Sequence, residues 1–474
     1  MSNISIKKAV LINFISKYSN VLIQLIINSV LARLLTPDDY GIVAIITIFI
    51  GFFTIIADMG IGPAIIQYKD LNKRQISDIF IFTFFIAILI SIVFIGFSYP
   101  LSIFYNNKVY IPLGIILSIG IFFNILNIVP NSLLLKDKQF KALGIRNVIV
   151  TMIGGIITIV LALNGAKYYA LVINSAFVGF LTFIFNYFYS KLKIYFSFSF
   201  ESIKKIKDFS TYQFAFNFIN YFSRNLDNLL IGKFMGQVAL GYYDKAYKLM
   251  LYPVQNLTHV ITPVLHPILS DYQNDRNRIY NEYVKIVKLL SLLGIFFSVF
   301  SFFASDEIIN IMFGNQWSNS ILSFKILSVS ICIQMILSSS GTIFQATGET
   351  RKLFLAGAIG AIFNIIGIIV GVIMGKIEYV ACGIVIAYII NFIAGYYILI
   401  NKVFHKSLLK FLLNFKSTII IGLICSISSL IFNIKIYNVF ISVLYKLTIC
   451  TISYIIGLLM TKEAKFMKSI IKRK

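Results

Sequence analysis

Charged residues are scarce in this chain, and acidic ones most of all. Asp and Glu number 18 in 474 residues, beside 3 His, 4 Cys and 1 Trp, and charged residues make up 13%, against about 25% in a soluble domain. Cys332, Cys382, Cys425 and Cys450 lie in apolar stretches and form no CxxC pair. Neither a disulfide framework nor a thiolate metal site is expected from them. His259 and His266 sit on one apolar stretch without a metal-ligand pattern, so no metal is expected. No Walker motif, GxSxG, HExxH or pair of catalytic carboxylates occurs. These absences leave an enzyme or an ATP-driven pump without a chemical basis.

Apolar residues are what the chain has. They make up 58% of it, 45 of them Phe, and the mean hydropathy is +0.87. That excludes a soluble enzyme, a disordered chain and a coiled coil, and predicts an all-α integral membrane protein. A spanning helix needs about 20 mostly apolar residues. Fourteen stretches qualify: 10–32, 40–61, 79–103, 111–135, 146–165, 168–190, 210–232, 242–269, 284–304, 320–345, 353–375, 378–400, 417–434 and 438–460. The first is not read as a cleavable signal, because no small-residue cleavage pattern follows Ala32-Arg33.

The 42 Lys and Arg against 18 Asp and Glu give a net charge of +24. On a soluble chain such a balance suggests nucleic acid; in a membrane it first reports orientation. With the N-terminus inside and the spans alternating, thirty basic residues fall in inside segments, six in outside segments and six within or at the edge of spans. Arg146 counts among the inside thirty. The asymmetry predicts cytoplasmic termini, and nucleic acid is not needed to explain the charge.

Two echoes run along the sequence. Ala32-Arg33 with Gly41 returns 200 residues later as Gly232-Lys233 with Gly241, and the segment from Asn131 to Lys141 lines up with Gly341 to Arg351, 210 later. They predict two parallel six-helix lobes around a central cavity. The N-lobe is 1–195, the C-lobe 196–400, and 401–474 adds a basic linker, two extra helices and a basic tail.

A charge at mid-span costs about 2.5–3.5 kcal/mol on insertion scales, and persists where it meets a wet cavity or a partner. The six cations in spans are Lys17, Arg224, Lys245, Lys248, Lys325 and Lys446, against three anions, Asp58, Asp227 and Asp244. The surplus predicts a cationic cavity and an anionic cargo, with Lys17, Arg224, Lys245, Lys248 and Lys325 as its contacts. Arg224 with Asp227, and Asp244 with Lys248, are spaced to pair within a helix. Lys248 and Lys325 stand close enough to a surface to snorkel instead, and Lys446 lies outside the repeat. Helices 1 and 7 are rich in amides, including Asn20, Gln24, Asn217, Asn220 and Asn228. These either line a wet seam or bond neighbouring helices. Pro253 and Pro263 are candidate hinges in helix 8, since each removes a backbone hydrogen bond. Asp58 and Asp227 are the carboxylates available for proton or sodium coupling; no other cofactor is expected.

Several segments resemble one family. Leu31-Ala32-Arg33-Leu34-Leu35-Thr36-Pro37-Asp38-Asp39-Tyr40-Gly41 and Asp58-Met59-Gly60-Ile61-Gly62-Pro63 are similar to segments of bacterial Wzx-type polysaccharide flippases. So are Asn225-Leu226-Asp227-Asn228, Gly241-Tyr242-Tyr243-Asp244-Lys245-Ala246, Phe313-Gly314-Asn315-Gln316-Trp317 and Gln345-Ala346-Thr347-Gly348. The resemblance is to the branch serving capsule, colanic-acid-like or teichuronic-acid-like polymers. It implies the multidrug/oligosaccharidyl-lipid/polysaccharide exporter fold in the bacterial cell membrane. It also implies an undecaprenyl-diphosphate-linked oligosaccharide as cargo, membrane lipid as surroundings and a polysaccharide polymerase as the next partner. A drug or cation antiporter of the same fold would favour buried carboxylates in the first lobe, where only Asp58 is present. A non-transporting scaffold of a polysaccharide assembly complex would need no wet seam.

Overall fold

The computed structural model describes residues 6–68, 70–195, 198–204, 221, 224–270, 275–434 and 436–472. Its described regular structure is helical throughout. Ten described helices are long and apolar enough to cross a membrane, and the pair Ser320–Ser328 and Ile331–Ala346, bent by 50°, makes an eleventh. The three remaining candidate spans are the polar ones near 10–32, 210–232 and 242–269. Ile6–Leu34 and Gln237–Ser270 are continuous helices; most of 210–232 lies outside the described residues. Pro253 and Pro263 both fall inside the Gln237–Ser270 helix. The chain divides into two compact units, Met1–Gly241 and Tyr242–Lys474.

In the first unit the motif residues act as fasteners. Thr36 accepts from the Asp39 N–H at 3.3 Å, while the Asp39 carboxylate accepts from the Thr36 N–H and hydroxyl at 2.9 and 2.8 Å. With Pro37 in the first turn, this capping box starts the Pro37–Asp58 helix. The second Asp39 oxygen accepts from the Tyr168 N–H at 3.1 Å, tying two helix starts together. Gly41 is required by a close crossing. A Cβ there would lie 1.8 Å from the carbonyl oxygen of Gln237, and a Cβ on Gly241 would lie 2.0 Å from that of Pro37. Two helix N-termini whose starts are 200 residues apart thus cross backbone to backbone.

The second unit repeats local details of the first. Phe140–Leu163 and Thr350–Ile373 are both 24-residue helices, 210 apart in sequence. Both follow the same turn: Lys138 N–H to Leu135 and Gly348 N–H to Gln345 are each 3.0 Å, and Gln139 N–H to Leu134 and Glu349 N–H to Phe344 are 2.9 and 2.8 Å. Lys138 and Gly348 hold the left-handed backbone at φ 55° and 73°. The helices Lys416–Ile431 and Val439–Met460 pack on Arg276–Phe303 through Leu292, Val299, Ile421, Cys425 and Cys450. At one end of this contact Lys446 pairs with Glu307 at 2.5 Å, and Ser442 donates to Glu307 at 2.7 Å. Burial opposes the Glu307 charge, but these bonds outweigh it and hold its carboxyl below the usual carboxylate range.

Candidate functional site

A cavity of about 410 Å³ opens within the first unit between the helices Ile6–Leu34, Ile128–Lys136 and Phe140–Leu163. Lys17 and Asn20 face it from the first, Asn131 from the second, and Arg146 and Asn147 from the third. Leu135, Phe140, Leu143 and Gly144 close its apolar side. Among the described residues two cations line it, and no carboxylate does.

The Arg146 guanidinium is held by amide oxygens. Nη1 donates to Asn131 at 3.0 Å and to Asn186 at 2.9 Å, and Nε and Nη2 donate to Asn147 at 3.1 and 2.7 Å. Asn186 is fully buried and donates onward to Asn127 at 2.7 Å. Asn127 and Asn131 are four apart on bent helical chain, which sets both amides toward the same neighbour. Only a planar fork with five donors can engage three amides in this way. The amides accept four hydrogen bonds from Arg146 without neutralising its charge. A partly desolvated cation without a counter-ion is costly, and Lys17 adds a second positive charge to the same space. The Asn20 amide oxygen is buried with no hydrogen-bond partner among the described residues. Two positive charges and an amide oxygen without a partner among the described residues have the chemistry to receive an anion that carries hydroxyl or amide donors.

The remaining candidate residues are dispersed. Arg224 is exposed, whereas Asp227 is buried and accepts from the Asn228 N–H at 2.8 Å. The Asn228 amide oxygen is buried without a partner among the described residues. Gln24 is exposed and does not line this cavity. Asn217 and Asn220 lie outside the described residues. Asp58 accepts from the Gly62 N–H at 3.1 Å across the turn into the short helix Ile61–Gln67.

In the second unit Lys245 is only 5% exposed, and its ammonium lies 4.9 Å from the Phe313 ring and 5.5 Å from that of Trp317. This is an aromatic box built by two motif segments, and cation–π attraction stabilises the charge in it. Lys248 pairs with Asp244 at 2.7 Å along its own helix, and Lys325 lies 4.9 Å over the Phe302 ring. Among the described residues no group of three His, Cys, Asp or Glu is placed to hold a metal ion.

Sequence reading missed Arg146 and its asparagines, because an Arg beside an inside loop counts as an orientation charge. One signal was available. Arg is rare here, eight against thirty-four Lys, and Arg in place of Lys marks multidentate bonding.

Known proteins share this architecture. The solved structure of the lipid II flippase MurJ in an inward closed conformation matches with TM-score 0.76 and 17% identity, covering 98% of this chain and 100% of that one. An inward-facing multidrug resistance MATE family transporter of the MOP superfamily matches with TM-score 0.58 and 15% identity, over 79% of this chain and 93% of that one. Among curated sequences, the lipopolysaccharide biosynthesis protein WzxC of Escherichia coli (strain K12) is 23% identical over 81% of this chain and 79% of its own length. The teichuronic acid biosynthesis protein TuaB of Bacillus subtilis (strain 168) is 24% identical over 81% and 80%. The family model described as polysaccharide biosynthesis protein matches residues 30–322, well over half of the chain. This integral membrane protein, built on a transporter fold, belongs to the polysaccharide biosynthesis protein family.

Proposed function

We propose that this protein flips undecaprenyl-diphosphate-linked oligosaccharide repeat units from the inner to the outer leaflet of the bacterial cell membrane, for capsular, exopolysaccharide or teichuronic-acid-like polymer synthesis. One observation carries the reading: a pocket lined, among the described residues, by two cations, an unsatisfied amide oxygen and no carboxylate. A diphosphate supplies the missing negative charge to Lys17 and Arg146, and sugar hydroxyls supply donors to Asn20. The transporter fold and the family support the same reading, and an antiporter of cationic drugs has no carboxylate among these lining residues to use.

Both termini lie in the cytoplasm in this scheme, which puts the Lys17–Arg146 pocket toward the inner leaflet. The cargo is loaded there and delivered outside to a polysaccharide polymerase. The lipid tail stays in the bilayer. Outward movement of about two negative charges gains about 4.6 kcal/mol per 100 mV, inside negative, so the electrical gradient alone favours export; Asp58 and Asp227 are the carboxylates at which proton or sodium coupling is to be tested. In a strain lacking the gene, lipid-linked repeat units accumulate in the inner leaflet and the intact gene clears them. A deletion strain with no accumulation would end the flippase reading. Accumulation cleared equally well by Lys17→Ala/Arg146→Ala would leave flipping intact and remove this pocket from it.

A further inference from the structure

We propose that the C-terminal helix Glu463–Lys472 is a seat for anionic phospholipid headgroups. The Val439–Met460 span ends at Met460, and Lys462 takes the left-handed backbone at φ 62° two residues later. The chain therefore folds sharply at the membrane boundary and does not run on away from it. The next helix begins at Glu463, within the headgroup layer, which adds about 5–8 Å on each side of the hydrocarbon.

Its rotation is fixed by a built contact. Glu463 is buried and pairs with Lys288 at 2.7 Å; the Lys288 ammonium also lies 5.0 Å from the Phe466 ring. Phe466 and Met467 pack on the cluster of Leu292, Ile421 and Cys450. With that face held, Lys462, Lys465, Lys468 and Ser469 are exposed. Lys465 and Lys468 are three apart, close to one helical turn, so they share one face of the helix, and Lys462 precedes them at the turn. Glu463, the single acid of this segment, already neutralises Lys288, and among the described residues neither Lys465 nor Lys468 makes an ion pair. Lys472, Arg473 and Lys474 follow in sequence. A docked helix with a basic stripe at headgroup depth attracts negative lipid surface. Its position depends on contacts within the second unit and not on the cargo pocket.

The test uses the full-length protein in nanodiscs of phosphatidylcholine alone, or with about a third phosphatidylglycerol, and follows amide hydrogen exchange over 463–472. The anionic lipid is expected to slow exchange about tenfold, and Lys465→Gln/Lys468→Gln to abolish most of that slowing while leaving exchange in phosphatidylcholine unchanged. Glu463→Gln, which loosens the docked face, should speed exchange in both bilayers and shows that the readout senses docking. Equal exchange of the unaltered protein in the two bilayers leaves the stripe to water or to an acidic protein and overturns the proposal. So does protection that survives the double Gln substitution.

Discussion

The first unit holds Arg146 where the second holds Ala356, 210 residues later, and Asn186 where the second holds Tyr396. The turns and the 24-residue helices that carry Arg146 and Ala356 match closely, whereas the helix of Asn186 runs on to Ser190 and that of Tyr396 passes there into a π-helical turn. In the first unit the space is a cavity with a guanidinium among amides. In the second, Tyr396 stacks on Phe411 at 4.9 Å and bonds Tyr283 at 2.7 Å, inside a cluster with Phe404 and Phe415. The first unit has a polar cavity beside Arg146, and the second has packed rings around Tyr396. Rings stabilise by burial and contact, whereas a partly desolvated cationic cavity costs stability.

The largest effect is expected from Arg146. Arg146→Ala removes one of the two pocket cations, takes its donor from the Asn186 oxygen and leaves the Asn131 oxygen only the longer bond from the Asn186 amide at 3.4 Å. Transport should fall at least about tenfold, since bonds to charged groups are each worth about 1.5–3 kcal/mol. Accumulation of lipid-linked repeats in the complemented deletion strain measures it. Arg146→Lys should recover only part, because an ammonium cannot span the same three amides. Full activity of Arg146→Ala at normal expression would erase the functional difference between the two units.

Exchanging the Asn and Tyr tests the difference from the other side. Tyr396→Asn deletes a ring packed 4.8 Å from Phe392 and 4.9 Å from Phe411, and should cost about 3–5 kcal/mol, read as a lower unfolding temperature in detergent. It should create no anion site, because the position matching Arg146 is Ala356. Tyr396→Phe keeps the ring and loses only the hydroxyl network, for about 1–2 kcal/mol with transport unchanged. Asn186→Tyr in the first unit should fill the space beside Arg146 and abolish transport with a smaller loss of stability.

How far the sequence exposed this contrast depends on the type of signal. Spans were legible because a run of apolar residues is local, and the 210-residue echo was legible because turn residues such as Gly348 announce themselves. Lys17 and Asn20 stood out as polar residues in a span, and the fold brings both to one cavity. Arg146 did not, because its partners come from three segments, at Asn131, Asn147 and Asn186. Lys245 was equally opaque: its spacing marks a charge in a span, but the rings of Phe313 and Trp317 reach it only through the fold. Asparagines in spans serve packing as often as ligands, and only the arrangement in space separates the two.

The 200-residue echo behaves differently from the 210-residue one, because Gly41 and Gly241 share one close approach within the first unit. Gly41→Ala and Gly241→Ala each drive a methyl into the opposing helix backbone and should cost about 1–3 kcal/mol alone. Either one already forces the crossing apart, so the double variant should cost clearly less than the sum. Thermal unfolding of the four proteins in one detergent gives the coupling. Simple additivity would mean that the two glycines act independently and that the crossing is not a single contact.

The smallest effect is expected in the second unit, at the helices Lys416–Ile431 and Val439–Met460. Glu307 fastens the latter through Lys446 and Ser442. Its carboxyl is held below the usual range by those bonds, in spite of burial. The group therefore contributes stability above the ordinary carboxylate pKa, and loses it as pH falls through its lowered value. Glu307→Gln keeps an acceptor for Ser442 and loses the ion pair, for about 1 kcal/mol or less in a partly exposed pair. At neutral pH the variant should unfold slightly earlier than the unaltered protein. On acidification the gap should close, because the protonated Glu307 carboxyl and the amide of the variant then present the same neutral acceptor to Lys446. A gap that stays constant into acid would show that the charge of Glu307 is not what the substitution removes, and no gap at neutral pH would leave the docking of these helices to the apolar contact of Leu292, Ile421 and Cys450.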